Sequence, residues 1–295
     1  MDVKEPKPFE EQLNKLIGRG CEIADYNHAL RVINSVNYYR LSAYFLPFKK
    51  KDGSYVDGTT FNNVYRIYEF DRKLRGLLFT VIEEIELMLR VQLSYHHAHK
   101  YGSLGYMDKD NFNKYHKHEY FIEHINKAIE NNKNQLFVKH HLEKYDGKFP
   151  TWVIIELFTV GELSFFYSDM HVYDKKEIAK TLFNTTHFNV SSWLLCLTDL
   201  RNYCAHYARL YYGLFPAIPQ TPKNFPYTLK KRIFDYILVL KFLYPDPIKW
   251  KNEFIISLDA LILEYSDCIQ MEHIGFPENW RQILKEANPK LKHTV

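Results

Sequence analysis

NVYRIYEFDRKLRGLLFTVIEEIELMLRVQLSYHHAH, residues 63–99, is the longest stretch of the chain with one helical pattern. Its apolar residues recur at three- and four-residue steps: Ile67, Phe70, Leu74, Leu77, Val81, Ile85 and Leu89. This spacing places them on one face of an α-helix. Because so long an apolar face needs other elements to cover it, the stretch predicts a helix at the centre of a bundle.

Charged residues occupy the opposite side of this predicted helix. Arg72, Glu83, Glu86 and Arg90 fall within about 60° of each other. One interpretation is a solvated face on which Glu86 and Arg90 form an i,i+4 pair. The other is a face that lines a cleft, where Arg90 contacts a phosphate and Glu86 orients a catalytic histidine. The pattern alone leaves both interpretations open.

The rest of the chain also has a helical pattern. Further helices are predicted over residues 10–17, 26–46 (as one or two helices), 119–144, 152–170, 175–182, about 227–243 and 248–268. Residues 99–118 are expected to form a loop. The turn signals Asp52-Gly53 and Asp57-Gly58 predict a small hairpin or an ordered loop. We therefore predict an all-α helical bundle with N- and C-terminal helical extensions.

Composition sets the class of protein and excludes several cofactors. Hydrophobic residues make up 46% of the 295 positions and aromatic residues 16%, enough for a substantial core. No glycine-rich phosphate loop is present, so we expect no ATP, GTP or NAD cofactor. The net charge of +4 permits RNA as a partner without demanding it.

Metal binding and membrane insertion are not expected either. The four cysteines form no Cys-x-x-Cys, and the 14 histidines form no His-Glu-x-x-His, so the sequence predicts no metal site. Scattered cysteines suit a reducing compartment. The N-terminal residues have no apolar signal core, and charges interrupt each apolar run. We expect a cytoplasmic protein without a membrane span.

A short polar motif follows the apolar stretch 193–200: Arg201-Asn202-Tyr203-Cys204-Ala205-His206. The apolar spacing predicts a helix over residues 193–212. On a straight helix Asp199, Asn202, His206 and Arg209 share one face, whereas Arg201 lies roughly 140° away from His206. One helix therefore does not aim Arg201 and His206 at one point. They meet either at the rim of a cleft or where two copies of the helix face each other in a dimer.

The residue types in this motif suit chemistry on a phosphodiester. Arginine binds phosphate through a planar, permanently charged guanidinium, and histidine transfers protons near neutral pH. Three hypotheses remain open from the residues alone. The chain is an endoribonuclease, a non-catalytic RNA-binding protein in which Arg201 and His206 contact phosphate, or a structural helical protein in which the motif forms interior hydrogen bonds.

Arg201-Asn-x-x-x-His206 resembles the signature of HEPN nucleases, and the wider stretch 200–211 resembles the abortive-infection family of bacterial anti-phage proteins of the AbiD/AbiF type. Three more blocks are similar to that family in order and spacing. They are residues 37–44 (NYYRLSAY), residues 68–75 (YEFDRKLR) followed by Glu83–Arg90, and Pro150-Thr-Trp152 with Glu156 and Gly161-Glu-Leu-Ser164. The resemblance extends from about Phe9 to Tyr212 and is looser around residues 275–280.

The resemblance implies a HEPN-like helical core at residues 63–214, between an N-terminal segment at 1–62 and a C-terminal segment at 223–295. It implies a metal-independent endoribonuclease that acts as a homodimer in phage defence. His206 would transfer the proton, Arg201 would stabilise the phosphorane, and Asn202 would orient the histidine. A structured non-coding RNA is the regulatory partner that we expect.

Clusters of basic residues are candidate RNA contacts. They are Lys49-Lys50-Lys51, Lys230-Lys231-Arg232, and the looser set Lys285, Lys290 and Lys292. Arg90 and Arg209 are further candidates. For each cluster an ordinary solvated face is the simpler interpretation, and RNA contact is the alternative. Because the clusters lie on separate segments, they favour a long RNA over a short substrate, with affinity that falls as salt rises.

Overall fold

The fold is all-α. The computed structural model describes residues 5–222 and 225–286. In those residues the regular elements are helices, and β-pairing is limited to isolated bridges. The α-helices are α1 Phe9–Ile17, α2 Tyr26–Ser35, α3 Tyr38–Phe45, α4 Phe61–Tyr101, α5 His118–Asn131, α6 Leu136–Lys144, α7 Thr151–Ile154, α8 Val160–Asp169, α9 Val172–Phe183, α10 His187–Ala205, α11 Ile233–Leu243, α12 Pro247–Lys249, α13 Ile255–Glu264 and α14 Trp280–Lys285.

The long helix predicted over 63–99 is confirmed as α4, which has 41 residues. It begins where the Thr60 hydroxyl accepts a hydrogen bond from the backbone N–H of Asn63 at 3.1 Å. It ends at Gly102, whose φ of 84° is a conformation that glycine adopts without strain. Helices from the whole chain pack against α4, among them α3, α7, α10, α11 and α13. This explains why α4 is buried on more than one side.

The second central helix is α10, which packs against α4, α8, α9 and α11. One continuous hydrophobic core includes residues from before position 62, from the middle of the chain, and from the C-terminal helices. Every residue of α11 is buried. The division into segments 1–62, 63–214 and 223–295 stays a prediction, and the described parts of all three segments contribute to the same core.

Two predicted helices are interrupted. The helix predicted over 119–144 is two helices, because a turn at residues 132–135 separates α5 from α6. The helix predicted over 152–170 breaks after a short 3₁₀ turn, Ile155–Leu157. There a capping box starts α8: Glu162 N–H donates to the Thr159 hydroxyl, and Thr159 N–H donates to the Glu162 carboxylate. The signal Thr-x-x-Glu was present in the sequence.

Smaller differences concern the ends of the fold. The predicted helix 227–243 begins only at Ile233, and the predicted helix 248–268 consists of α12, a π-helical turn Trp250–Phe254 and α13. The turn region 52–58 is an ordered loop with a single antiparallel bridge between Lys49 and Tyr55.

Among the described residues, no helix has both the length and the apolarity needed to cross a membrane.

Candidate active site

The predicted helix 193–212 is shorter than expected, because α10 ends at Ala205 and His206 caps its C-terminus. Immediately after His206 the chain turns sharply. The backbone N–H of Ala208 donates to Tyr203 O at 2.9 Å, and that of Tyr207 donates to Cys204 O at 3.3 Å. These two bonds define a Schellman motif. His206 therefore sits at a defined helix end rather than along a continuing helix.

Tyr207 occupies the left-handed position of this motif, with φ of 57°. Glycine is the usual residue there, since a side chain in this conformation costs roughly 1 kcal/mol or more. Strain of this kind persists only where the surrounding structure holds the backbone in place. The segment that follows His206 must therefore be held by other parts of the fold.

Three arginines hold this segment. Arg40 donates to the backbone carbonyl of Tyr207, and Arg75 donates to that of Ala208 at 3.0 Å. In the opposite direction, Arg209 reaches from the segment to the backbone carbonyl of Ala43. Two of the donors come from α3 and α4, which are remote in sequence from α10. These contacts fix the backbone immediately after His206.

Asp71 of α4 holds the next two residues. Its fully buried carboxylate accepts the backbone N–H of Leu210 at 3.0 Å and of Tyr211 at 2.9 Å. It also accepts the Tyr44 hydroxyl at 2.6 Å and Arg75 at 2.8 Å. Burial raises the pKa of the Asp71 carboxyl, and the Arg75 charge and these donors oppose that rise. Because all four partners donate, the carboxylate form satisfies them.

We call Arg40, Asp71, Arg75 and Arg209 together the loop clamp. The sequence blocks 37–44 and 68–75 supply three of its members, and the segment after the motif supplies the fourth. Blocks that are separate in sequence therefore meet at the residues that follow His206. Nothing in the sequence spacing predicts this role for Arg40, Asp71 and Arg75, because only the tertiary fold brings them to residues 207–211.

Two candidate RNA contacts have structural partners instead. Arg209 was expected on the same helix face as His206, but α10 ends before it and its guanidinium binds Ala43 O. Arg232 donates to the backbone carbonyls of Tyr212 at 2.7 Å and Gly213 at 3.2 Å. Both guanidiniums therefore hold the segment after the motif.

Arg90 forms the predicted i,i+4 pair with Glu86, but it lies on neither the solvated face nor the open cleft of the two interpretations. Only 9% of Arg90 is exposed, and its guanidinium donates to the backbone carbonyls of Ile155 at 2.6 Å and Phe158 at 2.7 Å. The same guanidinium donates to Glu86. The pair therefore anchors the break between α7 and α8, where the Ile155 carbonyl also accepts the backbone N–H of Phe158 at 3.1 Å. Its donors are directed at the protein and not at a phosphate.

The three motif side chains have no such partners. Asn202 and His206 are exposed and Arg201 is half-buried on the flank of α10. Among the residues that the structure describes, no hydrogen bond or ion pair engages any of these three side chains. Along the helix axis Arg201 and His206 are separated by about 7.5 Å. A guanidinium, an amide and an imidazole are thus available to a ligand at one end of α10.

The neighbours of the motif limit the chemistry. Burial raises the pKa of the Cys204 thiol to about 12, so this cysteine is not a thiolate nucleophile at neutral pH. Burial also raises the pKa of Asp199, whose carboxylate lies 3.5 Å from the Tyr236 hydroxyl.

Two exposed apolar residues of α10, Phe188 and Leu195, precede Asn202 and His206 at helical spacing. Most other side chains of α10 are buried or half-buried.

The remaining basic residues lie at the surface. Lys49, Lys50 and Lys51 are exposed, and Lys50 pairs with Asp57 at 2.9 Å. Lys230 and Lys231 are exposed, although their backbone N–H groups are held by Asp235. Lys285 is also exposed, whereas Lys290 and Lys292 lie outside the described residues. The RNA contacts proposed for these lysines stay predictions.

A group with potential metal ligands lies away from the motif. His96, Asp174 and Glu177 have ligand atoms within 4.8 Å of one another. The His96 Nε2 atom lies 3.9 Å from Asp174 and 3.8 Å from Glu177. Asp174, however, already accepts hydrogen bonds from Lys100 and Tyr101. A lysine ammonium on the same carboxylate competes with a cation, and the prediction of no metal cofactor stays a prediction.

A comparison with protein-family models gave a match. A family model described as "Abi-like protein" matches residues 31–212, which is 182 of the 295 residues. The matched region contains the motif, the loop clamp, α4 and α10. Searches of curated proteins and of solved structures returned no match.

Proposed function

Because the chain belongs to the Abi-like protein family, we propose that it acts in abortive infection as a metal-independent endoribonuclease of the HEPN type, within the AbiD/AbiF group. Arg201, Asn202 and His206 form its active site. The observation that carries this proposal is the contrast at the end of α10. The backbone after His206 is clamped at consecutive residues, whereas the motif side chains themselves are unpaired within the described structure.

Such a contrast is what preorganisation for catalysis requires. A catalytic side chain gains from a rigid backbone, because positioning lowers the entropic cost of reaching the transition state. Its own polar atoms must stay available for the substrate. A structural arginine would instead be paired within the protein, as Arg75 and Arg90 are.

The reaction follows from the residue types. The ribose 2′-oxygen attacks the adjacent phosphorus, and the bond from phosphorus to the 5′-oxygen breaks. His206 takes the proton from the 2′-hydroxyl or delivers one to the departing 5′-oxygen. Arg201 stabilises the added negative charge on the phosphorane, and Asn202 orients the imidazole. The products are a 2′,3′-cyclic phosphate and a 5′-hydroxyl, and DNA is not cut because it lacks the 2′-hydroxyl.

A homodimer completes this site. One chain supplies one motif histidine, whereas the reaction needs both a base and an acid. The exposed apolar residues Phe188 and Leu195 continue the face of α10 that carries Asn202 and His206. An isologous contact along this face would bring two motifs together and cover both apolar side chains. The lysine clusters then provide surface for a structured regulatory RNA.

The decisive experiment compares His206→Ala and Arg201→Ala with the wild-type protein in an RNA cleavage assay containing EDTA. Loss of a general acid or base reduces the rate by about 10²–10⁴-fold. Matched controls are His140→Ala and Arg31→Ala, which remove exposed residues of the same types elsewhere. Circular dichroism and thermal unfolding check that all four variants are folded.

Each result has a defined meaning. Loss of cleavage in the two motif variants, with normal cleavage in the two controls, supports the assignment. Wild-type rates in both motif variants overturn it. If the wild-type protein binds RNA without cutting it and the motif variants bind less tightly, the chain is an RNA-binding protein whose Arg201 and His206 contact phosphate.

A further inference from the structure

A cavity of about 590 Å³ lies between α5, α8 and the residues that precede α5. Its floor is apolar and buried, with Ile125, Phe158 and Phe166. Three aromatic residues line its mouth and are unusually exposed: Tyr115 by 77%, Tyr120 by 60% and Phe165 by 72%. Exposed apolar surface collected around one cavity marks a binding site more often than a single exposed ring does.

The walls of the cavity are rich in aromatic rings, and this composition favours a flat aromatic ligand. Phe158 meets Phe166 with ring centroids 5.9 Å apart, and it meets Phe121 edge-on at 6.0 Å. Aromatic groups prefer such offset or edge-to-face contacts with one another. The volume lies within the range of about 300–1,000 Å³ that is common for small-molecule sites. It exceeds what a single aliphatic side chain fills.

The carboxylates of the cavity wall are already bound within the protein. Asp169 lies 2.8 Å from the His116 ring, and Glu162 accepts the backbone N–H of Thr159 at 2.6 Å. The lysines are different. Lys117 lines the cavity and the Lys114 ammonium lies 5.1 Å from the Tyr115 ring centroid. Neither lysine forms an ion pair with any residue in 5–222 or 225–286.

We propose that this cavity binds one unstacked nucleotide of a single-stranded RNA. The base lies against the rings of Tyr120 and Phe165, and the phosphate lies near Lys114 and Lys117. A planar aromatic group with an anionic tail matches both the ring-lined cavity and the unpaired cations. The choice of RNA rests on the function proposed above. The cavity is a binding site additional to Arg201 and His206.

The test measures binding separately from cleavage. The probe is a short fluorescent single-stranded RNA. Its 2′-O-methyl groups block attack by the 2′-oxygen, so the protein cannot cleave it. Phe165→Ala and Tyr120→Ala are expected to weaken its binding by roughly 10- to 100-fold, the loss typical of a base-stacking ring. The control is Tyr173→Ala, since Tyr173 is 76% exposed and also has a lysine near its ring, but does not line this cavity. Because all three residues are exposed, their removal should leave the fold intact.

A second arm identifies the ligand directly. An oligonucleotide carrying 5-iodouridine, irradiated while bound, should crosslink to Tyr115, Tyr120 or Phe165. Crosslinks found only at residues outside this cavity overturn the nucleotide site. Equal probe binding by Phe165→Ala, Tyr120→Ala and the control Tyr173→Ala also overturns it. A free mononucleotide that binds as tightly as the oligonucleotide overturns the assignment to an RNA strand.

The two proposals fail in different ways. A wild-type protein that cleaves unmodified RNA, but whose Phe165→Ala and Tyr120→Ala variants bind the probe normally, has the proposed activity without this site. A protein whose probe binding depends on Phe165 and Tyr120, but which does not cut RNA, has this site without the proposed activity.

Discussion

Arg75 donates a hydrogen bond to the backbone carbonyl of Ala208 at 3.0 Å, although the two residues are 133 positions apart. Arg75 also pairs with Asp71, and that carboxylate binds the backbone N–H groups of Leu210 and Tyr211. A buried ion pair on α4 thus holds the backbone that follows the motif histidine. The stability of the fold and the geometry of the candidate active site are coupled through it.

The first prediction concerns this ion pair. Asp71→Asn removes the charge that compensates Arg75, and the new amide N–H₂ group faces other donors. Breaking a buried pair on one side costs about 3–5 kcal/mol, so the free energy of unfolding measured in urea should fall by that amount. Glu69→Gln is the control, because its pair with Arg72 is partly exposed and is worth about 1 kcal/mol or less. Equal effects of the two substitutions would contradict the role of Asp71.

The second prediction concerns the strained turn at Tyr207. Arg40 is largely exposed and its contact with Tyr207 O is local, so Arg40→Gln should lower the free energy of global unfolding by no more than about 1.5 kcal/mol. The backbone amides of residues 206–211 should exchange hydrogen about tenfold faster, as expected for the loss of a charged hydrogen bond of about 1.5 kcal/mol. The rate of RNA cleavage by Arg40→Gln should also fall below that of the wild-type protein. Arg31→Gln is the control, and unchanged exchange in Arg40→Gln would argue against the clamp.

The third prediction concerns the dimer. Leu195→Glu places a charge on the exposed apolar face of α10, where the proposed contact would have to desolvate it. Light scattering should show a wild-type species of twice the chain mass and a monomeric variant that no longer cleaves RNA. Leu263→Glu changes a residue on α13 that is 75% exposed and should do neither. A monomeric wild-type protein with full activity would exclude the dimer.

The fourth prediction separates neighbouring basic residues. Lys230→Gln combined with Lys231→Gln should weaken RNA binding and make the negative slope of log affinity against log salt shallower by about 0.7–0.9 for each lost phosphate contact. Arg232→Gln should instead destabilise the fold, because Arg232 binds the carbonyls of Tyr212 and Gly213. The melting temperature should fall in Arg232→Gln, and the salt dependence of RNA binding should change in the double lysine variant. If the double lysine variant keeps the wild-type slope, these lysines do not contact RNA.

The fifth prediction is a dependence of stability on pH. Burial lowers the pKa of His97 to about 4, and neither ring nitrogen has a hydrogen-bond partner among the described residues. Between pH 6.5 and 4 the unfolded chain therefore binds a proton that the folded chain does not, so stability falls as pH falls. The loss amounts to about 3 kcal/mol.

His97→Phe tests this contribution, since a ring of similar shape cannot be protonated. Urea unfolding at several pH values should show a shallower fall below pH 6.5 in the variant than in the wild-type protein. His140→Phe, at an exposed position, is the matched control. The same pH dependence in wild type and His97→Phe would show that other groups cause it.

Regular periodicity made α4 and the all-α class predictable. Seven apolar residues repeat at helical spacing within residues 63–99, and local spacing is all that such a prediction needs. The exposure of Arg90 was not predictable in the same way. Its side of α4 carries charges, yet residues 155–158 cover it and use its guanidinium to satisfy two backbone carbonyls. Which side of a helix is covered depends on its neighbours.

The end of α10 was not predictable from the sequence spacing either. Nothing in residues 201–212 is a glycine or proline that would stop a helix, so the pattern predicted a helix to position 212. The fold ends it at Ala205, because Asp71 and the arginines of the clamp bind the following backbone groups. Those remote contacts compensate for the left-handed conformation of Tyr207.

The sequence by itself determined the helical class, the long central helix, and the motif Arg201-Asn202-x-x-x-His206, because these depend on local spacing and on side-chain chemistry. Only the tertiary structure decided which polar residues are available to a ligand. Arg75, Arg90, Arg209 and Arg232 look as suitable for phosphate as Arg201 does, and each is bound to backbone carbonyls in the fold. A buried carbonyl must find a donor, and which arginine serves it depends on contacts between residues distant in sequence.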